Sequence, residues 1–363
     1  MKNSFEAVCE AAHGLADYPW TPEETIALGN AGLRESADHI AFAIVTPDAV
    51  HRGQHPAVLR ALRGAGFQLI AHRSLKLRDD QIEELYKYGV RKKIVDHRRT
   101  HWFLTRKGLG FGVSVGMLLH HPQPGACQRL LVLKGDSDPG RATATSVRGA
   151  VRSYSKILAV MHSSDDPAAV MRESLLYFTR QEVEDAIGTK ARDSPNDDIW
   201  EAVTETLSTT DVSADPMEIF WAVKLRVAHV LLTHPLAPEG LTSLSREHLG
   251  LLRDGRRSAR RGRGDWLAAL SDAEGLLARE RELLDGSAFA DECGRAMSEG
   301  RDRGDLALLS WCSLVLAARR LADTSGFREL QTGRLLGSLH EAGVHVTPWE
   351  SLVLENLLHF WEA

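Results

Sequence analysis

The sequence predicts an α+β domain followed by an all-α domain. Between residues 38 and 180, strand-type and helix-type hydrophobic patterns alternate, whereas the later patterns are almost all helical. The chain has 363 residues, which is too long for one small core and suits two domains. We therefore predict a helical extension at residues 1–37, a mixed domain at 38–180 and an all-helical domain at 199–363.

The composition is that of an ordinary globular protein, with 43% hydrophobic and 26% charged residues. The formal net charge of -5 does not favour binding to nucleic acid or to an anionic membrane. No apolar run is long enough to cross a bilayer, and the N-terminus lacks the pattern of a signal peptide. The four cysteines lie far apart and form no metal-type pair. We predict a cytoplasmic protein with reduced thiols, no membrane partner and no metal-ligating cluster.

The mixed domain contains four short apolar segments that predict strands, at residues 40–45, 67–71, 112–119 and 155–160. Helical spacing follows each of them, at residues 55–65, 79–88, 128–133 and 165–178. A basic stretch occupies residues 91–99. The order β-α-β-α-β-α-β-α suits an antiparallel sheet with helices on one face.

The C-terminal part of the chain predicts helices at residues 217–233, 245–252, 266–284, 305–322, 327–340 and 348–361. Their tryptophans fall within apolar helical patterns, which is typical of core residues. Residues 253–263 are rich in arginine. They are either a solvated helix end or loop, or a site that binds phosphate, RNA or an acidic partner.

The residues most suggestive of chemistry are His162 and Glu173. A strand that ends directly before a histidine places the ring at the edge of the sheet. Ser164 or Asp165 is predicted to cap the next helix, whose N-terminus favours a nearby anion. Glu173 lies two turns into that helix and can reach back to the ring. A carboxylate bonded to one imidazole nitrogen fixes the tautomer and leaves the other nitrogen nucleophilic.

Four motifs in this order resemble nucleoside diphosphate kinase: Thr46-Pro47-Asp48-Ala49-Val50-His51-Arg52-Gly53, Gly135-Asp136-Ser137-Asp138-Pro139, Val147-Arg148-Gly149 and His162-Ser163-Ser164-Asp165. The resemblance covers residues 38–178 and implies a ferredoxin-like antiparallel sheet with covering helices. It implies that His162 accepts the phosphoryl group, that Glu173 orients His162, and that Ser164 lies beside them. Arg148 and Ser137 match positions that contact nucleotide phosphates. Tyr86 and Trp102 match an active-site tyrosine and a base-stacking aromatic.

Three positions depart from the family pattern. Thr46 replaces a lysine, Leu131 an arginine and Ala159 an asparagine. Two cationic phosphate contacts and one polar sugar contact are therefore missing. The two cationic contacts together correspond to about 3–6 kcal/mol, at about 1.5–3 kcal/mol for each charge-assisted hydrogen bond.

The leading functional hypothesis is phosphotransfer through phospho-His162, with Mg²⁺ and ATP or another nucleoside triphosphate as implied by the resemblance. The departures point to an unusual phosphoryl acceptor or to reduced standard kinase activity. Two alternatives stay open: a non-catalytic nucleotide-binding module that controls the helical domain, and RNA or partner binding through residues 253–263. A homo-oligomer is a further candidate assembly.

Overall fold

The computed structural model of the protein describes residues 36–86, 99–151, 153, 155–190, 200, 203–204, 215–260, 266–325 and 332–359. The chain divides into two compact units, Met1–Val212 and Ser213–Ala363. Most of the predicted N-terminal extension, the basic stretch at 91–98 and the interval at 191–199 lie outside the described residues. The domain boundaries at 38, 180 and 199 stay predictions.

The first unit contains a four-stranded antiparallel sheet. Its strands are β1 (Ile40–Val45), β2 (Gln68–Leu75), β3 (Ser114–His120) and β4 (Met161–Ser163). They are arranged in the order β2-β3-β1-β4, and every neighbouring pair is antiparallel. Ile44 lies opposite Gly116 on one side and His162 on the other. The predicted ferredoxin-like α+β fold is confirmed by this topology.

Eight helices accompany the sheet in the described part of this unit: α1 (Pro47–His51), α2 (His55–Gly64), α3 (79–86), α4 (Arg99–Leu109), α5 (Ala126–Lys134), α6 (Val147–Ala150), α7 (Pro167–Ser174) and α8 (Arg180–Lys190). A 3₁₀ turn, Ala37–His39, precedes β1. Helices α5 and α7 both contact β1. The short helices α1 and α6 and the longer helices α4 and α8 were not predicted.

The central strand is covered on both faces. Successive side chains of a strand point to opposite faces of the sheet, and all six residues of β1 are buried. All but the last residue of β3 are buried as well. Both faces of β1 are therefore covered, whereas the sequence predicted helices on one face. A near-continuous apolar run predicts a strand buried on both sides, and β1 has such a run.

The fourth strand lies later in the chain than predicted. It comprises Met161–Ser163, whereas residues 155–160 were expected to form it. Val160 has a φ of 60°, and the Met161 N–H donates to the Ala159 carbonyl at 2.7 Å. This tight turn points backbone groups away from the hydrogen-bond ladder of the sheet. Residues 157–160 therefore do not form a strand, although they are apolar. His162 consequently lies within β4 rather than just beyond a strand.

The helix that follows β4 also begins later than expected. Its N-cap is Asp166, whose carboxylate accepts from the Ala169 N–H at 2.8 Å, and Pro167 occupies its first turn. The predicted caps, Ser164 and Asp165, are therefore wrong. The Ser164 hydroxyl instead donates to Glu173.

In the described residues of the second unit, every regular secondary-structure element is a helix. Its helices are α9 (Pro216–Leu232), α10 (Leu241–Arg260), α11 (Trp266–Asp285), α12 (Ser287–Arg303), α13 (Leu306–Ala322), α14 (Thr332–Glu341) and α15 (Pro348–His359). Helix α12 was not predicted. Trp221, Trp311 and Trp349 are buried, as predicted for core residues. Arg253 lies on α10, and the arginine side chains beyond it fall outside the described part of the chain.

Three ionisable side chains meet in the interior of the second unit. The Lys224 ammonium lies 2.6 Å from the Glu280 carboxylate, and His248 Nε2 lies 3.3 Å from the same oxygen. Burial lowers the pKa of Lys224 and lowers that of His248 to about 3, so the imidazole stays neutral. Hydropathy patterns did not indicate this cluster, because its members lie on three different helices.

No helix among the described residues has the length and apolar character needed to cross a membrane.

Candidate active site

His162 and Glu173 are in direct hydrogen-bond contact at the sequence-predicted site. His162 Nε2 lies 2.8 Å from Glu173 Oε2. A carboxylate accepts hydrogen bonds, so Nε2 carries the proton and Nδ1 carries the lone pair. The His162 side chain is 19% exposed to solvent, whereas the Glu173 side chain is 6% exposed. The arrangement is a half-buried imidazole with a fixed tautomer and a basic Nδ1.

Glu173 is held by three side chains. Besides His162, its Oε2 accepts from Ser164 Oγ at 2.7 Å, and its Oε1 accepts from Arg172 Nη2 at 2.8 Å. Burial alone would raise the pKa of Glu173, but His162, Arg172 and Ser164 outweigh it and hold that pKa below its ordinary value. The carboxylate is therefore ionised at neutral pH. A negative charge behind the ring stabilises positive charge that develops on the imidazole.

The helix α3 contributes an aromatic wall next to His162. The Tyr86 ring lies edge-on to the imidazole, with centroids 5.6 Å apart, and Trp102 on α4 lies edge-on to Tyr86 at 6.1 Å. Burial raises the pKa of Tyr86 to about 12, so it stays a neutral phenol. Arg172 Nη1 donates to the Glu84 carbonyl at 2.7 Å and thereby ties α3 to the Glu173 carboxylate. The structure thus brings Tyr86 to His162.

Arg148 is buried, and its guanidinium binds backbone. Nε donates to the Ala159 carbonyl at 3.1 Å, Nη1 to Gly135 at 3.0 Å and Nη2 to Met161 at 3.0 Å. The next residue, Gly149, has no room for a side chain, since a Cβ there would lie 1.9 Å from the Thr143 carbonyl oxygen. A close backbone approach therefore explains the glycine after Arg148. A phosphate contact for Arg148 stays a prediction.

Thr46 and Ser137 occupy different surroundings from His162. Thr46 is buried, and its hydroxyl donates to Asp48 Oδ1 at 2.6 Å. Ser137 is exposed in the loop after α5, and no hydrogen bond within the described residues joins it to His162. The predicted phosphate role of Ser137 and the substitution of Thr46 for a phosphate-binding lysine stay predictions.

Lys134 was missed by the sequence analysis. Its ammonium is buried at the end of α5 and donates to Ser163 Oγ at 2.7 Å. Burial, reinforced by the charge of Arg148, lowers the pKa of Lys134 to about 8. A lysine in the last turn of a helix is usually an exposed cap, so the sequence contained no signal of its burial.

We expect Lys134 to make the stability of the protein rise between about pH 8 and pH 10. The unfolded lysine stays protonated up to about 10.4, whereas the folded one releases its proton near 8, so the unfolded state binds more protons in this window. Chemical denaturation should show that wild type gains about 2 kcal/mol over Lys134→Met between about pH 7 and about pH 10. The matched change at an exposed lysine, Lys76→Met, should track wild type. Parallel curves for wild type and Lys134→Met would contradict the burial of this charge.

A carboxylate stands next to the candidate active site. Asp165 is exposed three residues after His162, and its negative charge contributes to the raised pKa of Tyr86. In the part of the chain that the structure describes, no three His, Cys, Asp or Glu side chains converge to hold a metal by themselves. One carboxylate fits Mg²⁺, which is commonly bound by one or two carboxylates together with substrate phosphates and water.

The fold agrees with a comparison to known families. Residues 39–183 match the family model for nucleoside diphosphate kinase. This segment is a nucleoside diphosphate kinase-family domain. The match contains all four strands, His162 and Glu173, and the described residues that follow α8 are helical.

Three similar proteins each match less than half of this chain. A nucleoside diphosphate kinase of Ignicoccus hospitalis is 27% identical over 142 residues, which are 39% of this chain and 90% of that protein. One of Fervidobacterium nodosum is 28% identical over 144 residues, covering 40% of this chain and 91% of its own. A solved nucleoside diphosphate kinase of Borrelia burgdorferi, a transition state mimic with vanadate and ADP, is 21% identical, with a TM-score of 0.37. It covers 45% of this chain and 95% of its own.

Proposed function

We propose that the nucleoside diphosphate kinase domain transfers phosphoryl groups from a nucleoside triphosphate through a phosphohistidine at His162. The observation that carries this proposal is the 2.8 Å contact between His162 Nε2 and Glu173 Oε2. It supports a defined nucleophile, Nδ1, and a carboxylate that offsets the charge of the phosphorylated ring. The family match at residues 39–183 supports nucleotide phosphotransfer as the class of reaction.

In the proposed reaction, the Nδ1 lone pair attacks the γ-phosphorus in line with the leaving oxygen. The N–P bond forms, the bond from phosphorus to the bridging oxygen breaks, and the nucleoside diphosphate leaves with that electron pair. The Nε2 proton stays on the ring, and Glu173 balances the positive charge of the imidazolium. An acceptor oxygen then attacks the same phosphorus from the other side, and the N–P electrons return to Nδ1.

Mg²⁺ fits this proposal as a companion of the nucleotide. Asp165 is the residue we assign to hold it, through its exposed carboxylate beside His162. When bound, the ion would neutralise part of the negative charge of the phosphates. The protein groups keep their own roles: His162 forms the bond to phosphorus, and Glu173 orients the ring. Tyr86 lies against the ring, and Trp102 behind it is our candidate for base stacking.

Within the described residues, the loss of two family cations and the engagement of Arg148 support an altered substrate or a lower standard activity. Thr46 and Leu131 carry no charge, and the Arg148 guanidinium donates to three backbone carbonyls. At these three positions, a triphosphate therefore meets fewer available cationic side chains than the family pattern provides. We propose that the phosphoryl acceptor differs from an ordinary nucleoside diphosphate, or that transfer to one is slow.

A pulse-chase experiment tests this function. The full chain is incubated with Mg²⁺ and γ-labelled ATP or GTP, freed from nucleotide, and then chased with ADP, GDP, CDP and UDP. We expect acid-labile, base-stable label on the protein and label in the triphosphate formed during the chase. Label that stays on the protein with every diphosphate would support a different acceptor. Absence of label with all nucleotides tested would overturn the proposal.

Restoring the two family cations should strengthen nucleotide binding or transfer. If Thr46 and Leu131 face the phosphates, Thr46→Lys with Leu131→Arg is expected to raise affinity or rate by about 10²–10⁴-fold, since two charge-assisted hydrogen bonds return. Titration with nucleotide and single-turnover labelling measure the two quantities. Thr242→Lys with Leu306→Arg, two exposed positions in the helical unit, adds the same charges and should change neither. No gain in a folded double variant whose His162 ring-nitrogen signals match wild type would mean that these positions do not face phosphate.

A second candidate function is a nucleotide-binding regulatory module without catalysis. The engagement of Arg148 with backbone favours it, because a cleft poor in cations binds a nucleotide without stabilising charge during transfer. The discriminating result is saturable nucleotide binding by a protein that acquires no label at His162. Control of the helical unit, RNA binding through residues 253–263 and a homo-oligomer are further predictions that this experiment does not address.

We also propose a cytoplasmic location. Nucleoside triphosphates are available there, and Cys127, Cys293 and Cys312 are free and buried, which suits a reducing compartment.

A further inference from the structure

The backbone just before His162 adopts a strained turn. Val160 has a φ of 60° and is the only non-glycine residue with a positive φ among the described residues. The Met161 N–H donates to the Ala159 carbonyl at 2.7 Å, which closes a γ-turn around Val160. This positive-φ γ-turn is rare and strained, and a β-branched residue is an outlier in it. Such strain persists only where the surroundings determine the conformation. We call residues 159–161 the γ-turn.

Three buried residues from elsewhere in the domain hold the γ-turn by hydrogen bonds. Asp48 Oδ2 accepts from the Val160 N–H at 3.3 Å, and the Thr46 N–H donates to the Val160 carbonyl at 3.1 Å. Arg148 donates from Nε to the Ala159 carbonyl and from Nη2 to the Met161 carbonyl. All three carbonyls of the turn are thus bound.

Asp48 is itself fixed in place. The Thr46 hydroxyl donates to its other oxygen at 2.6 Å, and the buried Arg52 guanidinium lies 3.8 Å from Oδ2. The carboxylate is almost fully buried. A fixed acceptor in a dry environment makes a directional contact with the Val160 N–H, because no water competes for it. The γ-turn is therefore clamped from α1 on one side and from α6 on the other.

The consequence falls on His162, two residues after Val160. Side chains of a strand alternate between its faces, so a change of register by one residue would turn His162 away from Glu173 and Tyr86. Strand β4 has only three residues, so it has few ladder contacts with which to hold its own register. Because the γ-turn is held in place, it fixes the position at which the backbone enters β4.

We propose that Asp48 and Arg148 are positioning residues which clamp the γ-turn and thereby aim His162 at Glu173. In this account Arg148 acts on the protein backbone, and its loss disturbs the nucleophile even when no nucleotide is present. The catalytic consequence rests on the proposed phosphotransfer, whereas the effect on the geometry of His162 does not.

The test combines a spectroscopic and a kinetic readout in the full chain. Arg148→Lys keeps the charge but cannot reach three carbonyls in the geometry of a guanidinium. Asp48→Ala removes the acceptor, and Asp48→Asn restores an oxygen for the Val160 N–H. Long-range ¹H–¹⁵N spectra of the histidine rings, assigned with His162→Asn, report the tautomer of His162 without nucleotide. Arg129→Lys, at an exposed arginine whose Nε donates to the Pro124 carbonyl, is the matched control.

We expect Arg148→Lys and Asp48→Ala to shift or broaden the ring nitrogen signals of His162, while Asp48→Asn and Arg129→Lys stay close to wild type. Phosphohistidine formation at saturating triphosphate should fall by about 10²-fold in the first two, as expected for a misplaced nucleophile. The nucleotide dissociation constant should change little. Unchanged His162 signals in a folded Arg148→Lys protein, with weaker nucleotide binding, would overturn the proposal and make Arg148 a phosphate ligand.

A measurement on wild type tests the proposal even if a variant does not fold. The Val160 amide, bound to a buried carboxylate, should exchange with deuterium as slowly as the amides of β1. Exchange at the rate of an open loop would show that the γ-turn is not clamped. If wild type never acquires label at His162, the proposed phosphotransfer is wrong. The ring nitrogen signals and the amide exchange still test the positioning role in that case.

Discussion

Replacing His162 with asparagine is expected to remove phosphotransfer activity, lowering single-turnover labelling by at least about 10³-fold. The introduced side-chain amide can still donate to Glu173, so the buried carboxylate keeps a partner while the nucleophilic Nδ1 is lost. The loss should therefore appear in the rate of labelling and leave the dissociation constant of the triphosphate within a few-fold of wild type. Rapid-quench measurements with γ-labelled ATP and Mg²⁺ give both values.

The control for this prediction is His340→Asn. His340 is exposed at the end of α14 in the helical unit, and its replacement should leave labelling unchanged. Equal labelling of wild type and His162→Asn would assign the phosphate to another residue. A parallel loss of nucleotide binding and of the thermal transition would show that His162 acts in the fold, and the site assignment would then be wrong.

Replacing Glu173 with glutamine is expected to slow phosphotransfer by about 10²–10⁴-fold, the range associated with a positioned acid or base. The variant keeps the size of the side chain but removes the charge that faces His162 and Arg172. Breaking a buried ion pair leaves an uncompensated charge and destabilises a protein by about 3–5 kcal/mol, so the free energy of unfolding should fall by a comparable amount. Single-turnover labelling and chemical denaturation measure the two effects.

The same substitution should change how stability depends on pH. The surroundings of Glu173 hold its folded pKa below the unfolded value of about 4.3. Its contribution is therefore present above about pH 4.3 and is lost as the pH falls through the folded pKa. Wild type should lose stability relative to Glu173→Gln in this acid window. Glu299→Gln, at an exposed glutamate paired with Arg303, should follow wild type in rate and in pH dependence. If wild type and Glu173→Gln lost the same amount of stability over this acid range, the depressed pKa of Glu173 would be contradicted.

Hydrophobic patterns were sufficient to predict most of the mixed domain. The strands β1, β2 and β3 fall where apolar runs predict them, with ends that differ by a few residues. The fourth strand was misplaced because residues 157–160 are as apolar as a strand. In the structure the Val160 N–H is bound by Asp48, which lies more than a hundred residues earlier in the chain. A contact of that kind leaves no local signal.

Spacing predicted the central pair of the site but not its surroundings. Glu173 was expected to reach His162 from two turns into a helix, and the two side chains do meet. Arg172 and Lys134 were missed because their partners, the α3 carbonyls and Ser163, are distant in sequence. The role expected of Ser164 as a helix cap was wrong, since Asp166 caps the helix. Helix α12 was missed because Gly294, Gly300 and many charged residues obscure its apolar periodicity.

The most direct test of the central claim is to locate the phosphoryl group after incubation of the full chain with Mg²⁺ and ATP. Mass spectrometry under conditions that preserve acid-labile phosphate identifies the residue, and NMR of the phosphorylated protein distinguishes the two ring nitrogens. Because Nε2 is bound to Glu173, we predict phosphate on Nδ1 of His162. Phosphate on Nε2, on another residue, or on no residue would contradict the account.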